Sequence, residues 1–162
     1  MGTIHLICGK ICSGKTCYAR LLKEKHGAVL LSMDELTYAL ISNEQGSFYD
    51  ALILRASLYL RKIAAETAAA GANVILDWGF WTRESRADMS GFLSRSGVPY
   101  AWHYVDVPDE MWQANIAERN RRVLAGRGGA DFFVDEGLLN KLLSQFEAPD
   151  RAEMDVWYIP SR

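Results

Sequence analysis

The chain has 162 residues, of which 49% are hydrophobic and 23% charged, and 18 Lys and Arg against 20 Asp and Glu leave a formal net charge of −2. This length and composition fit one globular domain with a buried core and exclude an intrinsically disordered chain. The charge balance lacks the basic excess typical of nucleic-acid-binding proteins, and no apolar run is long enough to cross a membrane.

Short apolar runs alternate with longer amphipathic stretches, which predicts βαβ units and a parallel sheet. Strands are predicted at 3–8, 28–32, 73–77, 100–107 and 156–159. Helices are predicted at 15–25, 34–41, 51–70, 82–96, 108–124 and 136–146. A polar link at 42–47 and a glycine-rich loop at 126–129 join neighbouring helices. We therefore predict a single α/β domain over 1–162, a five-stranded sheet with helices on both faces.

The segment from Gly9 to Thr16 reads GKICSGKT and matches the phosphate-binding pattern G-x-x-x-x-G-K-[ST] in full. It follows an apolar strand and opens a helix, the context in which backbone N–H groups and a helix N-terminus surround phosphate. Lys15 is predicted to contact the β and γ phosphates of ATP, and Thr16 to bind Mg²⁺. The predicted nucleotide-binding residues are Gly9, Ile11, Cys12, Ser13, Gly14, Lys15, Thr16, Cys17 and Arg119.

Two carboxylates follow apolar strands. Asp77 ends the third strand and is predicted to hold Mg²⁺ through water, with a helix cap or an arginine partner as the alternative. Asp34 comes just after the second strand, where such topologies face the substrate crevice, and is predicted to accept the proton of a substrate hydroxyl. The alternative for Asp34 is a helix cap, and Glu35 is a weaker substitute as base.

Four arginines, Arg119, Arg121, Arg122 and Arg127, surround the end of the fifth helix and the glycine loop. Arginines in a mobile lid can close over a transferring phosphoryl group, whereas a solvated basic face is the alternative. We select Arg119 and Arg127 as catalytic, with Arg122 next.

Aromatic residues cluster near the ends of the second and third strands. Tyr38, Trp78 and Phe80 are predicted to bind substrate, and Arg83 to bind substrate or the transferred phosphate. Packing between helices is the alternative for these aromatic residues, and it explains Trp81 equally well.

Several segments occur in an order that resembles the AAA-type small P-loop kinases, which include chloramphenicol phosphotransferase, zeta toxin, gluconate kinase and the kinase domain of polynucleotide kinase. These segments are Gly9–Thr16, Ser32–Asp34, Val74–Trp81 with Arg83, and Tyr104–Pro108 with Arg119. The resemblance covers essentially the whole chain. It implies a nucleoside-kinase-like sheet ordered 2-3-1-4-5, a helical lid at about 119–135, ATP and Mg²⁺ as cofactors, and Asp34 as the base.

The acceptor is expected to be uncharged. Nucleoside monophosphate kinases of similar fold usually place an Arg soon after the Asp of the second strand, but Thr37 and Tyr38 stand there in this sequence. We therefore expect a cytoplasmic kinase, monomeric or homodimeric, that phosphorylates a hydroxyl of a small metabolite or antibiotic without binding nucleic acid or membrane. A nucleotide or polynucleotide-end kinase, and a non-catalytic or toxin-like ATP-binding protein, stay open as alternatives.

Overall fold

Strands and helices alternate along the chain in a computed structural model that describes residues 1–40, 47–129 and 131–161. The strands are β1 (Ile4–Cys8), β2 (Val29–Ser32), β3 (Val74–Gly79), β4 (Tyr100–Val105) and β5 (Val156–Tyr158). The helices are α1 (Lys15–His26), α2 (Met33–Leu40), α3 (Ser47–Ala69), α4 (Arg83–Ser96), α5 (Asp109–Leu124) and α6 (Glu136–Ser144). A short 3₁₀ helix, Arg151–Glu153, precedes β5. Residues 42–46 of the predicted polar link lie outside the described residues.

The five strands form one parallel sheet in the order β2-β3-β1-β4-β5, which confirms the predicted fold class. All five residues of β1 are buried, as the central strand of a sheet covered on both faces requires. Parallel strands place their carboxyl ends along one edge, so the residues that follow β1, β2 and β3 meet there. This edge carries the predicted phosphate-binding loop.

Side chains alternate between the two faces of the sheet and form two buried clusters. Leu6 and Leu76 pack with residues of α3 and α4 on one face. Ile7 and Ile75 pack with residues of α1 on the other face. Within the described ranges, no helix is both long enough and apolar enough to span a membrane.

Strand β3 extends two residues beyond the predicted end at Asp77. The pairing of β1 with β3 shifts register between Leu6 and Cys8, so that Cys8 lies opposite Gly79. The Gly9 N–H then donates to the Gly79 carbonyl across 3.4 Å. The start of the phosphate-binding loop is therefore tied to the end of β3. The other boundaries differ from prediction by a few residues, and the largest difference is at the start of α3. Thr82 caps α4, because its side chain accepts a hydrogen bond from the Ser85 N–H.

All three histidines of the chain lie in one cluster between the sheet and α1. The two buried rings of His5 and His103 are joined by a 2.9 Å hydrogen bond, and Tyr18 Oη lies 2.9 Å from the other ring nitrogen of His103. His26 stacks on His5 at 4.7 Å. Burial, followed by the charge of His5, lowers the pKa of His103 to about 4, and burial also lowers the pKa of His5. At neutral pH the folded protein therefore favours the neutral form of the His5 and His103 rings.

The free energy of unfolding is expected to fall as the pH drops from 6.5, the ordinary value for histidine, to about 4. In this window the unfolded chain takes up a proton at residue 103 that the folded chain refuses, which costs about 3 kcal/mol of stability in total. Urea unfolding across the window measures the slope. A His103→Leu variant should show a clearly smaller pH dependence, although it is less stable throughout. An unchanged slope in that variant would contradict the assignment to His103.

Candidate active site

The loop between β1 and α1 wraps its backbone around the N-terminus of α1. Gly14 caps this helix with φ +92°, a left-handed conformation that side-chain-bearing residues rarely adopt. Cys12 is also left-handed, with φ +57°. The two conformations turn the loop so that the helix begins directly at Lys15.

The loop contains a polar group whose partner is missing among the described residues. Ser13 is only 1% exposed, and its Oγ has no hydrogen-bond partner in the described part of the chain. A buried hydroxyl left unpaired costs about 1–3 kcal/mol, so native proteins rarely keep one without a ligand or water. An orphaned hydroxyl in a loop at a helix N-terminus fits a bound phosphate group.

The Lys15 side chain makes one hydrogen bond to the loop within the described residues. Its Nζ donates to the Lys10 carbonyl across 2.8 Å. Burial lowers the pKa of Lys15, and the carboxylates of Asp77 and Asp34 oppose that shift. The ammonium group is thus partly desolvated, and its charge is less screened than it would be in water.

Thr16 and Asp77 meet at the start of α1. The Thr16 hydroxyl donates to Asp77 Oδ2 across 2.8 Å. Burial raises the pKa of Asp77, while Lys15 and the Thr16 hydrogen bond oppose the rise. A hydroxyl and a carboxylate together suit Mg²⁺, which takes few protein ligands and keeps water and phosphate oxygens as the others. No group of three or more His, Cys, Asp and Glu side chains forms a metal cage in the described ranges.

Asp34 lies in the first turn of α2 but does not cap it. Ser32 Oγ accepts from the Glu35 N–H across 3.3 Å and so serves as the cap. The Asp34 carboxylate is exposed and faces the cleft that contains Lys15 and Asp77. It is therefore available for another role.

The cleft above the loop has a volume of about 470 Å³. It brings together most of the predicted site residues, namely Ile11, Cys12, Ser13, Gly14, Lys15, Thr16, Cys17, Asp34, Asp77, Trp78 and Arg119. It is also lined by Trp81 and Arg122, and by four residues that the sequence did not single out, Asn115, Glu118, Asp131 and Phe132.

The sequence model of a protein family described as "AAA domain" matches residues 4–149. The chain belongs to this AAA domain family. A search of curated proteins gave no significant match.

Solved structures similar to this AAA domain include two kinases and one further protein solved with a nucleotide. The APS kinase CysC of Mycobacterium tuberculosis, solved with AMPPNP and APS, is 21% identical with a TM-score of 0.69 over 99% of this chain and 90% of that one. Kti12 of Chaetomium thermophilum, solved with ADP-AlF3, is 19% identical with a TM-score of 0.68 over 98% of this chain and 88% of that one. A gluconokinase from Sinorhizobium meliloti is 16% identical with a TM-score of 0.63 over 99% of this chain and 83% of that one. The fold is thus that of small P-loop kinases, as predicted.

Five predicted site residues do not line the cleft of this AAA domain. Gly9, at the start of the loop, is buried, and its N–H donates to the Gly79 carbonyl. Phe80 is 7% exposed and packs edge-on against Trp102 in the core. Tyr38, on α2, is 57% exposed.

The other two are arginines. Arg83 pairs with Asp150 and Glu153, and its backbone N–H donates to the Glu147 carboxylate, so acidic residues near the C-terminus hold it outside the cleft. The Arg127 side chain is exposed, and its backbone N–H donates to the Arg122 carbonyl across 2.9 Å at the end of α5.

One face of α5 holds the phosphate-binding loop in place. The Trp112 indole N–H donates to the Ile11 carbonyl across 2.7 Å, and the Asn115 amide donates to the Cys12 carbonyl across 2.9 Å. Trp112 is also part of a small buried cluster with Val107 and Ile116, and the sequence analysis did not identify it as a support for the loop. A polar group every third or fourth residue on the buried side of α5 was the available signal.

Trp112→Phe is expected to weaken ATP binding about three- to tenfold, because the buried Ile11 carbonyl loses its donor and the loop loses a fixed point. The smaller ring also leaves space beside Val107 and Ile116 in the buried cluster, so some stability is lost as well. Calorimetric titration with ATP measures the affinity, and urea unfolding measures the accompanying loss of stability. Trp102→Phe is the matched control, since its indole N–H donates to Ser90 Oγ across 2.9 Å outside the cleft. Equal effects of both variants on ATP affinity would contradict a local role.

Proposed function

We propose that this protein transfers the γ-phosphoryl group of ATP to a hydroxyl of an uncharged, ring-bearing small molecule. The observation that carries the proposal is that one cleft contains the loop ammonium of Lys15, the Thr16–Asp77 pair and the exposed Asp34 carboxylate. The first two groups suit a nucleoside triphosphate, and the third suits a hydroxyl acceptor.

On the nucleotide side, the backbone of 11–15 and the Ser13 hydroxyl bind phosphate oxygens, and Lys15 neutralises charge at the β and γ phosphates. The Thr16 hydroxyl and the Asp77 carboxylate would hold Mg²⁺, which supplies further neutralisation of the phosphates when bound. Arg119 adds a positive charge from α5, opposite the loop.

On the acceptor side, Asp34 orients the hydroxyl and accepts its proton. The acceptor oxygen then forms a bond to the γ phosphorus as the bond from that phosphorus to the bridging oxygen breaks. ADP leaves with the electron pair of the broken bond. The carboxylate is suited to this step because it is exposed to the cleft and is not used as the cap of α2.

The charges in the cleft favour an uncharged acceptor. The cations that line it in the described residues are Lys15, Arg119 and Arg122, and all three belong to the loop, α1 or α5. The segments that follow β2 and β3 contribute no cation to the described cleft lining, since Arg83 is held outside. An acceptor phosphate would have no fixed counter-charge on that side.

Two indole rings supply the surface for a ring-bearing acceptor. Trp78 donates its N–H to the Leu31 carbonyl across 3.1 Å, which fixes its ring. The Trp81 indole packs against Gly79, where an added Cβ would come within 2.8 Å of the indole nitrogen. Both rings line the cleft, and aromatic side chains commonly form the walls of small-molecule sites.

The test is Mg²⁺-dependent release of ADP from ATP across a panel of nucleosides, sugars, aminoglycosides, phenicols, nucleoside monophosphates and 5′-hydroxyl oligonucleotides. Mass spectrometry of each acceptor detects a transferred phosphoryl group. The proposal expects an uncharged ring-bearing compound to gain the group and Lys15→Met to abolish the gain. Phosphorylation of only the monophosphates or oligonucleotides would overturn the acceptor assignment. ATP binding without any turnover would favour the regulatory or toxin-like alternative.

A further inference from the structure

Two arginines of the cleft share one carboxylate that the proposed mechanism does not use. Asp131 Oδ1 accepts from Arg119 Nε at 3.0 Å and from Arg119 Nη2 at 2.7 Å. Asp131 Oδ2 accepts from Arg122 Nη2 at 2.9 Å. Each carboxylate oxygen therefore serves one arginine, and all three side chains line the cleft.

The guanidinium group of Arg119 is held on three sides. Its Nε–Nη2 edge is bound to Asp131, and the Phe132 ring lies 4.9 Å from its central carbon. The remaining nitrogen, Nη1, lies 3.5 Å from Cys12 Sγ in the phosphate-binding loop. With one edge and one face occupied, the nitrogen that is left points at the loop where the phosphates would bind.

We propose that Asp131 is a positioning residue that holds Arg119 aimed at the phosphates of bound ATP. The inference rests on the proposed function but adds a residue to it. An arginine without this contact would have to lose its rotamer freedom when it binds phosphate, and that loss would weaken binding. Preorganisation by Asp131 removes that cost before ATP arrives.

A second effect of Asp131 acts in the opposite direction. A carboxylate close to a polyphosphate repels it, so removal of the charge would by itself strengthen ATP binding. The repulsion is weak here, because two guanidinium groups already neutralise the single carboxylate. Loss of positioning therefore dominates, and the sign of the change in affinity separates the two effects.

The test measures ATP affinity by calorimetric titration in the presence of Mg²⁺. The proteins compared are the wild type, Asp131→Asn, Arg119→Ala and the double variant. Asp131→Asn is expected to weaken ATP binding about tenfold in the wild-type background and less than about twofold in the Arg119→Ala background. Such coupling is not expected of a residue that only stabilises the fold. Asp131→Glu keeps the charge but lengthens the side chain, and an intermediate loss is expected. If Asp131→Asn does not fold, Asp131→Glu takes its place and is measured in both the wild-type and the Arg119→Ala backgrounds.

Asp88→Asn is the matched control, because it removes the charge of a carboxylate that accepts from Arg61 Nη1 at 2.9 Å outside the cleft. It should leave ATP affinity within about twofold of the wild type. Tighter binding by Asp131→Asn, or an equal loss in both backgrounds, would overturn the positioning role while the proposed function stands. Absence of ATP binding by the wild type would overturn both.

Discussion

Lys15→Met is expected to lower phosphoryl transfer by a factor on the order of 10³ or more, since it removes the charge that the loop presents to the β and γ phosphates. The effect is large because Lys15 is half-buried, and its ammonium group makes one hydrogen bond within the described residues, to the Lys10 carbonyl. Its interaction with phosphate is therefore less screened than that of a surface lysine. Initial rates of ADP release with a responsive acceptor measure the loss.

Lys10→Met is the matched control for this prediction, because it removes an ammonium group from the same loop. Lys10 Nζ lies 3.9 Å from the centre of the Trp112 ring and 3.7 Å from Asp109 Oδ1, so it is directed toward α5. A loss of less than about fivefold is expected. Comparable losses in the two variants would show that net loop charge, rather than the position of Lys15, supports turnover.

Asp34→Asn is expected to lower transfer to the acceptor about 10²- to 10⁴-fold, the range typical of a lost general base. The amide keeps the size of the side chain but cannot take up the acceptor proton. ATP affinity should change less than about threefold, because Asp34 lies on the acceptor side. Separate measurements of acceptor turnover and of ATP binding by calorimetry distinguish these two effects.

Glu35→Gln removes a carboxylate from the same helical turn and is the matched control. Glu35 is exposed, lies 4.0 Å from Arg20 and is not among the residues that line the cleft. Its loss should change turnover less than about threefold. If Asp34→Asn keeps most of the turnover while Lys15→Met abolishes it, another group accepts the proton.

The sequence predicted the sheet order, and it predicted most of the residues that the structure brings together around the phosphate-binding loop. The phosphate-binding loop is contiguous, so its spacing alone fixes the relation of Lys15 to the preceding strand. The position of Asp77 beside the loop depends on a long-range pairing. It could be predicted because a parallel sheet brings the ends of β1 and β3 together. The lid predicted at about 119–135 and the roles of the individual site residues stay predictions.

The acceptor side depended on contacts that the local sequence does not encode. Phe80 has φ +45° and turns into the core, although it follows Trp78 by only two positions. Arg83 is drawn away by acidic residues more than sixty positions later in the chain. Asp131 pairs across twelve positions with Arg119, and no motif marks it. Such pairings follow from tertiary packing and not from periodicity.

Helix α5 carries, along its 16 residues, the contacts to the phosphate-binding loop at one end and the cleft arginines at the other. At about 1.5 Å per residue it forms a rod of about 24 Å whose two ends cannot be exchanged separately. A chimera joined between Asn115 and Arg119 would combine one parent's loop contacts with another parent's arginines. Recombination among AAA domains of this kind should therefore place its junctions before Asp109, so that loop support and arginines are inherited together.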